Sequence, residues 1–221
     1  MRCARLQPPS VFLAAALVAA LAVAACADDD TGSAAAVKNT ERAFLEAMIP
    51  HHESAIEMAR LAKRRAGHRQ ISELADAIIE AQSSEIRRIA RIHRRLSGRK
   101  VLPNSDAHQV LGLSAKQAGM AHDDPAAKLR RARRFDRAFI DEMIAHHQGA
   151  IRMARAVLAQ ATDEELRSFA NGIVSAQSEE IDRMNRWRTA WYGAPSPSGD
   201  VPAAAGPPGD RGEEHEGGHS G

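Results

Sequence analysis

Residues 48–59 read MIPHHESAIEMA and residues 143–154 read MIAHHQGAIRMA. Each places two adjacent histidines between two methionines. The offset is 146 − 51 = 95 residues, and it continues without a gap. Phe44 aligns with Phe139, Met48 with Met143, Met58 with Met153, Ala81-Gln82-Ser83 with Ala176-Gln177-Ser178, Glu85 with Glu180 and Ile86 with Ile181. A repeat in strict register is a duplicated structural unit, and a unit of about 50 residues suits a helical hairpin.

The spacing predicts two helices per unit. In the first unit Phe44, Met48, Ala55, Ala59 and Ala62 recur at helical spacing up to Gly67. Ile71, Leu74, Ile78, Ile89 and Ile92 then form a second stripe that ends at Gly98. In the second unit Asp124-Pro125 reads as an N-cap with proline at the first helical position. Thr162 with Glu165 reads as a capping box for a last helix carrying Leu166, Phe169, Ile173, Ile181, Met184 and Trp187. One hairpin cannot bury its apolar stripe alone, so the expected fold is all-α: an antiparallel four-helix bundle built from two duplicated hairpins about a pseudo-two-fold axis. The halves span 39–97 and 124–192, with a connection over 98–123 that has room for a short helix after Ser114. Pro50 aligns with Ala145 and is expected inside a helix, which it kinks; the alternative is a helix beginning near residue 49.

Outside the bundle the chain reads as processing and linker sequence. VFLAAALVAALAVAAC, preceded by arginines, has the layout of a secretory signal over residues 1–25. Val23-Ala24-Ala25-Cys26 resembles a bacterial lipobox, which implies cleavage before Cys26, lipidation of its sulfur and a membrane-surface location outside the cytoplasm. The plain alternatives are an ordinary signal with an incidental cysteine and an uncleaved anchor. Residues 26–38 read as a polar tether, and the Pro/Gly-rich stretch from 193 to 221 as a disordered tail. The chain has two cysteines, Cys3 and Cys26. Loss of one and lipidation of the other leave no thiolate, so a metal site must draw on His, Met or carboxylates. A net charge of +2 gives no argument for nucleic acid, and the Arg-Arg pairs read as solvated helix faces.

At about 100° per residue, His51 and His52 flank the buried stripe on opposite sides, so one ion does not take both. His51 shares its flank with Met48 and Met58. Gln82 and Glu85, and their copies Gln177 and Glu180, fall within the apolar arcs of the second helices, where polar groups need partners. Two arrangements fit. Met48, His51, His52 and Met58, with Met143, His146, His147 and Met153, form sites for a soft ion, since thioether plus imidazole without thiolate suits Cu(I) or Ag(I). Or the methionines fill the core and the histidines hydrogen-bond Glu85 and Glu180; under the metal reading such contacts become the outer support of the ligating imidazoles. His68, His93, His108 and His122 lack copies and read as surface, and His215 and His219 as part of the tail. The folded region has no Glu-x-x-His di-iron motif, nucleophile setting or phosphate loop, so no catalytic role is expected.

The two stretches FLEAMIPHHESAIEMARLA and FDRAFIDEMIAHHQGAIRMARAVL resemble the paired-histidine halves of a bacterial domain-of-unknown-function family, DUF305, over roughly residues 40–192. That resemblance implies a ferritin-like four-helix fold, export, and in CopM-like periplasmic members binding of copper or silver through Met and His. Carried onto this chain, it marks the same eight Met and His residues as candidate ligands. Copper-binding members have a methionine-rich connection, whereas Met120 is the only methionine in this one, which limits the chain to a few sites. The reading is thus an exported lipoprotein, alone or as a homodimer, that handles copper; its alternative is a metal-free structural or interaction module of the cell envelope.

Overall fold

The computed structural model describes residues 29–121 and 124–203. Its regular structure is helical: α1 (Asp29–Arg65), α2 (Arg69–Ser97), a 3-10 helix (Ser105–Leu111), the short α3 (Pro125–Arg131), α4 (Phe135–Leu158) and α5 (Glu164–Tyr192). α1 and α2 form one hairpin, α4 and α5 the other, and the hairpins meet through α1 and α4. α2 and α5 end alike, at Gly98 and Gly193, whose φ of 69° and 83° suit glycine, which lacks a Cβ.

The sequence repeat has a counterpart in the hydrogen bonding at the hairpin turns. Glu41 Oε1 accepts hydrogen bonds from the backbone N–H of Thr162 and Asp163, at the turn of the second hairpin. Its copy, Asp136, accepts from the N–H of Gly67 and His68, at the turn of the first. Each repeat's first helix thus places a buried carboxylate on the start of the other repeat's second helix, where orphan N–H groups and the helix dipole favour negative charge.

The core consists of two apolar clusters. One contains Phe44, Met48, Ile89, Met153 and Phe169, the other Met58, Ile78, Phe139, Met143 and Met184. Between them every long helix changes character. α1 contributes His51 and His52, α2 Gln82 and Glu85, α4 His146 and His147, and α5 Gln177 and Glu180. The apolar stripes are therefore interrupted at one level by a polar layer.

α1 runs through Pro50. Proline has no N–H for the carbonyl of Glu46, four residues back, and that carbonyl instead accepts from Asn104 N of the connection at 3.1 Å. The missing helical bond therefore helps to seat the connection on α1.

Several boundaries differ from the sequence expectations. Residues 29–38 of the expected tether are part of α1, because the Ala-rich run extends an existing helix at little cost. In the second repeat the corresponding stretch is broken into α3 and α4, and Arg65 fixes the break by donating to the carbonyls of Leu129, Arg130 and Ala132. Asp124 caps α3 as expected. The cap of α5 is Asp163, bonded to Leu166 N, and not Thr162. The short helix of the connection precedes Ser114, which opens only a turn. Residues 193–203 of the expected disordered tail are held on α4 and α5: Gln148 donates to the carbonyls of Ser198 and Asp200, Asn185 to Gly199, and Arg155 to Pro202. Composition does not register such contacts, because the side chains that satisfy the tail's backbone lie elsewhere in the chain. The expected signal, the lipidation site Cys26 and residues 204–221 lie outside the described residues.

Removing either crossed carboxylate should destabilise the fold. Glu41→Ala and Asp136→Ala are each expected to lower unfolding free energy by about 1–3 kcal/mol. The two losses should add, because the carboxylates cap different turns. Urea unfolding of both single variants and the double variant measures this; unchanged midpoints would contradict the crossed caps.

Candidate metal centre

His51 and His146 meet face to face where the two repeats cross. Their ring centroids are 3.7 Å apart with the planes inclined by 39°. They are 1% and 3% exposed, and neither ring nitrogen of either residue has a hydrogen-bond partner. Burial holds both imidazoles well below their usual pKa, and the neighbouring histidines push in the same direction, against a smaller upward push from the backbone of the facing histidine. Both rings are therefore neutral at physiological pH, and each offers a free lone pair.

His52 and His147 point away from this pair, with adjacent ring centroids 6.2 and 6.3 Å apart. Each is fully buried and meets the carboxylate on the second helix of its own hairpin. His147 Nε2 is 2.6 Å from Glu180 Oε2 in a hydrogen bond. His52 Nε2 is 2.8 Å from Glu85 Oε2, a charge contact that lacks hydrogen-bond direction. The two arrangements that fit the sequence thus divide between the two histidines of each pair. The outer histidines take the glutamates, and the inner histidines face each other. Gln82 and Gln177 are buried beside them with unpartnered side-chain oxygens.

The four methionines are fully buried, and the antiparallel crossing sorts them across repeats: Met48 with Met153 on one side of the layer, Met58 with Met143 on the other. Among the described residues no group of three or more His, Cys, Asp or Glu side chains is placed to hold a metal ion. The layer holds the two buried imidazoles, and the four methionines lie in the apolar clusters on either side of it; imidazole and thioether are donor types that suit a soft monovalent ion.

The connection covers the pair. Gly119, at φ +67°, lies so close that a Cβ there would sit 3.3 Å from His51 Nε2 and 3.1 Å from the His146 carbonyl. A Cβ on Gly149 would collide with the carbonyl of Ala118. A cleft of about 300 Å³, lined by Lys116, Gly119, Glu142 and His146 among others, leads from this cover to the edge of His146. The sequence reading missed this cover, although one signal was present: Gly149 replaces Ser54 within an otherwise closely matched repeat.

Two histidines expected at the surface are buried. His93 is 4% exposed and bonded through Nδ1 to the Arg99 carbonyl, and His108 bonds the Leu113 carbonyl. His93 does have a counterpart, of another residue type: Arg188, which pairs with Asp141 as His93 faces Glu46. His68 is partly exposed, bonded to Asp136 and stacked on Trp191 at 3.8 Å. His122, His215 and His219 lie outside the described residues.

These features define an all-helical protein with a buried imidazole pair where its two repeated sequence stretches meet. The chain belongs to the DUF305 family, a domain of unknown function, whose sequence model matches residues 33–210. It is similar to CopM, solved in a Cu(I)-bound form, at 33% identity over 69% of this chain and 97% of that one, with a TM-score of 0.59. CopM has also been solved in Ag-bound and Cu(II)-bound forms. A candidate secreted DUF305 protein from Streptomyces coelicolor matches at 25% identity over 72% of this chain and 97% of that one, with a TM-score of 0.62. A DUF305 fragment from Deinococcus radiodurans matches at 28% identity over 68% and 96%, with a TM-score of 0.58. No curated protein sequence matches. No described helix is long and apolar enough to cross a membrane.

The neutral pair sets a pH dependence. Unfolding frees both imidazoles to titrate near 6.5, whereas the native rings resist protonation. Below about 6.5 the unfolded state binds more protons, so metal-free stability should fall as pH falls through that value. Urea midpoints from pH 8 to pH 5 test this, and a His51→Leu/His146→Leu variant should show a shallower slope.

Proposed function

We propose that this protein is a non-catalytic binder of a soft metal ion, Cu(I) or Ag(I), in copper handling or envelope stress outside the cytoplasm. His51 and His146 provide nitrogen donors, and Met48, Met58, Met143 and Met153 provide thioethers. His52 and His147, oriented by Glu85 and Glu180, support the layer. The observation that carries the proposal is the four ring nitrogens of His51 and His146, buried and without partners. Such a set costs stability in a purely structural core and is recovered when an ion takes the lone pairs. The similarity to CopM, whose structures hold Cu(I), Cu(II) and silver, supports copper as the ion. Within this reading the four long helices form an antiparallel, ferritin-like four-helix bundle, and a lipid on Cys26 tethers it to the membrane surface.

A metal-free envelope module is the second reading, favoured by the His52–Glu85 and His147–Glu180 pairs, which are made without an ion. Titration with Cu(I) under reducing conditions against a competing chelator separates the two. The native chain should bind with at least micromolar affinity. The double variant His51→Leu/His146→Leu should lose that binding while the metal-free protein becomes as stable or more stable, since apolar groups replace unpaired polar ones. A double variant that destabilises the protein, from a parent that binds no Cu(I), would support the module.

A further inference from the structure

The stretch from Ile86 to Ser105 reads IRRIARIHRRLSGRKVLPNS and carries seven Arg and Lys residues without one carboxylate. The aligned stretch 95 residues later, IDRMNRWRTAWYGAPSPSGD, carries three arginines and two aspartates. The second helices of the two hairpins thus differ in charge. Two of the seven cations are used inside the protein: Arg95 pairs with Asp163 and Glu165, and Arg88 lies over the Phe169 ring at 5.2 Å. Arg87, Arg91, Arg94, Arg99 and Lys100 are exposed, and among the described residues none of them pairs with a carboxylate.

These five cations share one side of the molecule. At about 100° per residue Arg87, Arg91 and Arg94 fall within about 60° of one another on α2. Arg99 and Lys100 follow in the turn beyond Gly98. A recess of about 370 Å³, lined by Ala90, Arg91, Arg94 and Arg95, opens here. The helix dipole accounts for cations in the last turn of α2, but Arg87 and Arg91 lie before that turn and Arg99 and Lys100 after it. The same turn presents an apolar side chain that the core does not use. Leu102 is 70% exposed, more than any other large hydrophobic side chain among the described residues. Val101 before it is buried, and Asn104 N after it donates to the Glu46 carbonyl, so the backbone around Leu102 is fixed at both sides.

We infer that the outer face of the last turns of α2, with the turn that follows, docks on an anionic phospholipid membrane. The five cations lie against lipid phosphates, and Leu102 enters the boundary between headgroups and acyl chains. A bilayer surface offers negative charge and hydrocarbon side by side, which is the pairing this surface complements. Nucleic acid or an acidic protein would answer the cations but not Leu102. The start of α1 lies at the same end, where Ala35 and Lys38 line a cleft with Leu96 and Ser97. Docking here is therefore compatible with a tether ahead of α1, but it depends neither on lipidation of Cys26 nor on a bound metal.

The chain from Ala27 to the C-terminus contains every described element and lacks both cysteines, so no lipid anchors it. At low salt it should cosediment with phosphatidylcholine vesicles containing about 30% phosphatidylglycerol, about tenfold more tightly than with phosphatidylcholine alone, and should be released as salt rises. Arg91→Glu/Arg94→Glu should weaken that binding by about tenfold or more with an unchanged melting temperature. Arg183→Glu/Arg186→Glu makes an equal change of charge on the exposed side of α5 and should leave binding within about twofold. Leu102→Ser should weaken binding severalfold. An environment-sensitive dye on Leu102→Cys should shift to shorter wavelength with the acidic vesicles, and one on the exposed Ala190→Cys should not. Equal loss from the α5 pair, no preference for the acidic vesicles, or a dye at position 102 that stays in water overturns the membrane surface. Capture of RNA or polyglutamate with no capture of vesicles overturns it too, and gives these cations another partner.

Discussion

Four imidazoles at one level of an apolar core constrain everything around them. Apolar clusters pack on both faces of the layer, so water does not satisfy these rings, and each ring nitrogen needs a partner or lowers stability. Glu85 and Glu180 reach the outer rings from the second helix of each hairpin, but of the eight ring nitrogens only His147 Nε2 has a hydrogen-bond partner. The inner rings are left to each other, and two neutral rings in contact cannot satisfy four nitrogens. The methionines lie fully buried in the apolar clusters on either side of the layer, where a flexible thioether fills space.

Two similar hairpins create this layer, and they differ where symmetry is not required. At the crossing they stay alike, because each inner histidine is the other's neighbour. The crossed caps stay acidic in both, as Glu41 and Asp136, because each closes the other repeat's turn. Away from the axis the copies separate. Pro50 replaces the residue type at 145 and releases a carbonyl for the connection. Gly149 replaces the residue type at 54 and lets the connection approach. The ends of the second helices diverge furthest: α2 closes on a run of cations, and α5 on Trp187 and Trp191.

Much of the fold was legible in the sequence. The repeat and its helical periods gave the two hairpins, and the arcs containing Gln82, Glu85, Gln177 and Glu180 located the polar layer. Which histidine of each pair meets a glutamate was not legible: a helical wheel assigns flanks, while the neighbour on each flank depends on how the hairpins cross. The connection was not legible either, since its seating depends on a freed carbonyl and two glycines, and none of these forms a motif. His93 read as surface because its copy is an arginine, and comparing residue types concealed a shared position. The tail segment 193–203 read as disordered because Asn185 and Gln148, which hold its backbone, belong to helices.

The central claim is that the inner pair, His51 with His146, is where a soft ion binds. Nitrogen NMR of the histidine side chains during Ag(I) titration tests it most directly. The account predicts that ring nitrogens of His51 and His146 shift together at the first equivalent, while those of His52 and His147 stay where they are in the metal-free protein. Unchanged His51 and His146 resonances, with silver taken up by other histidines, would contradict it.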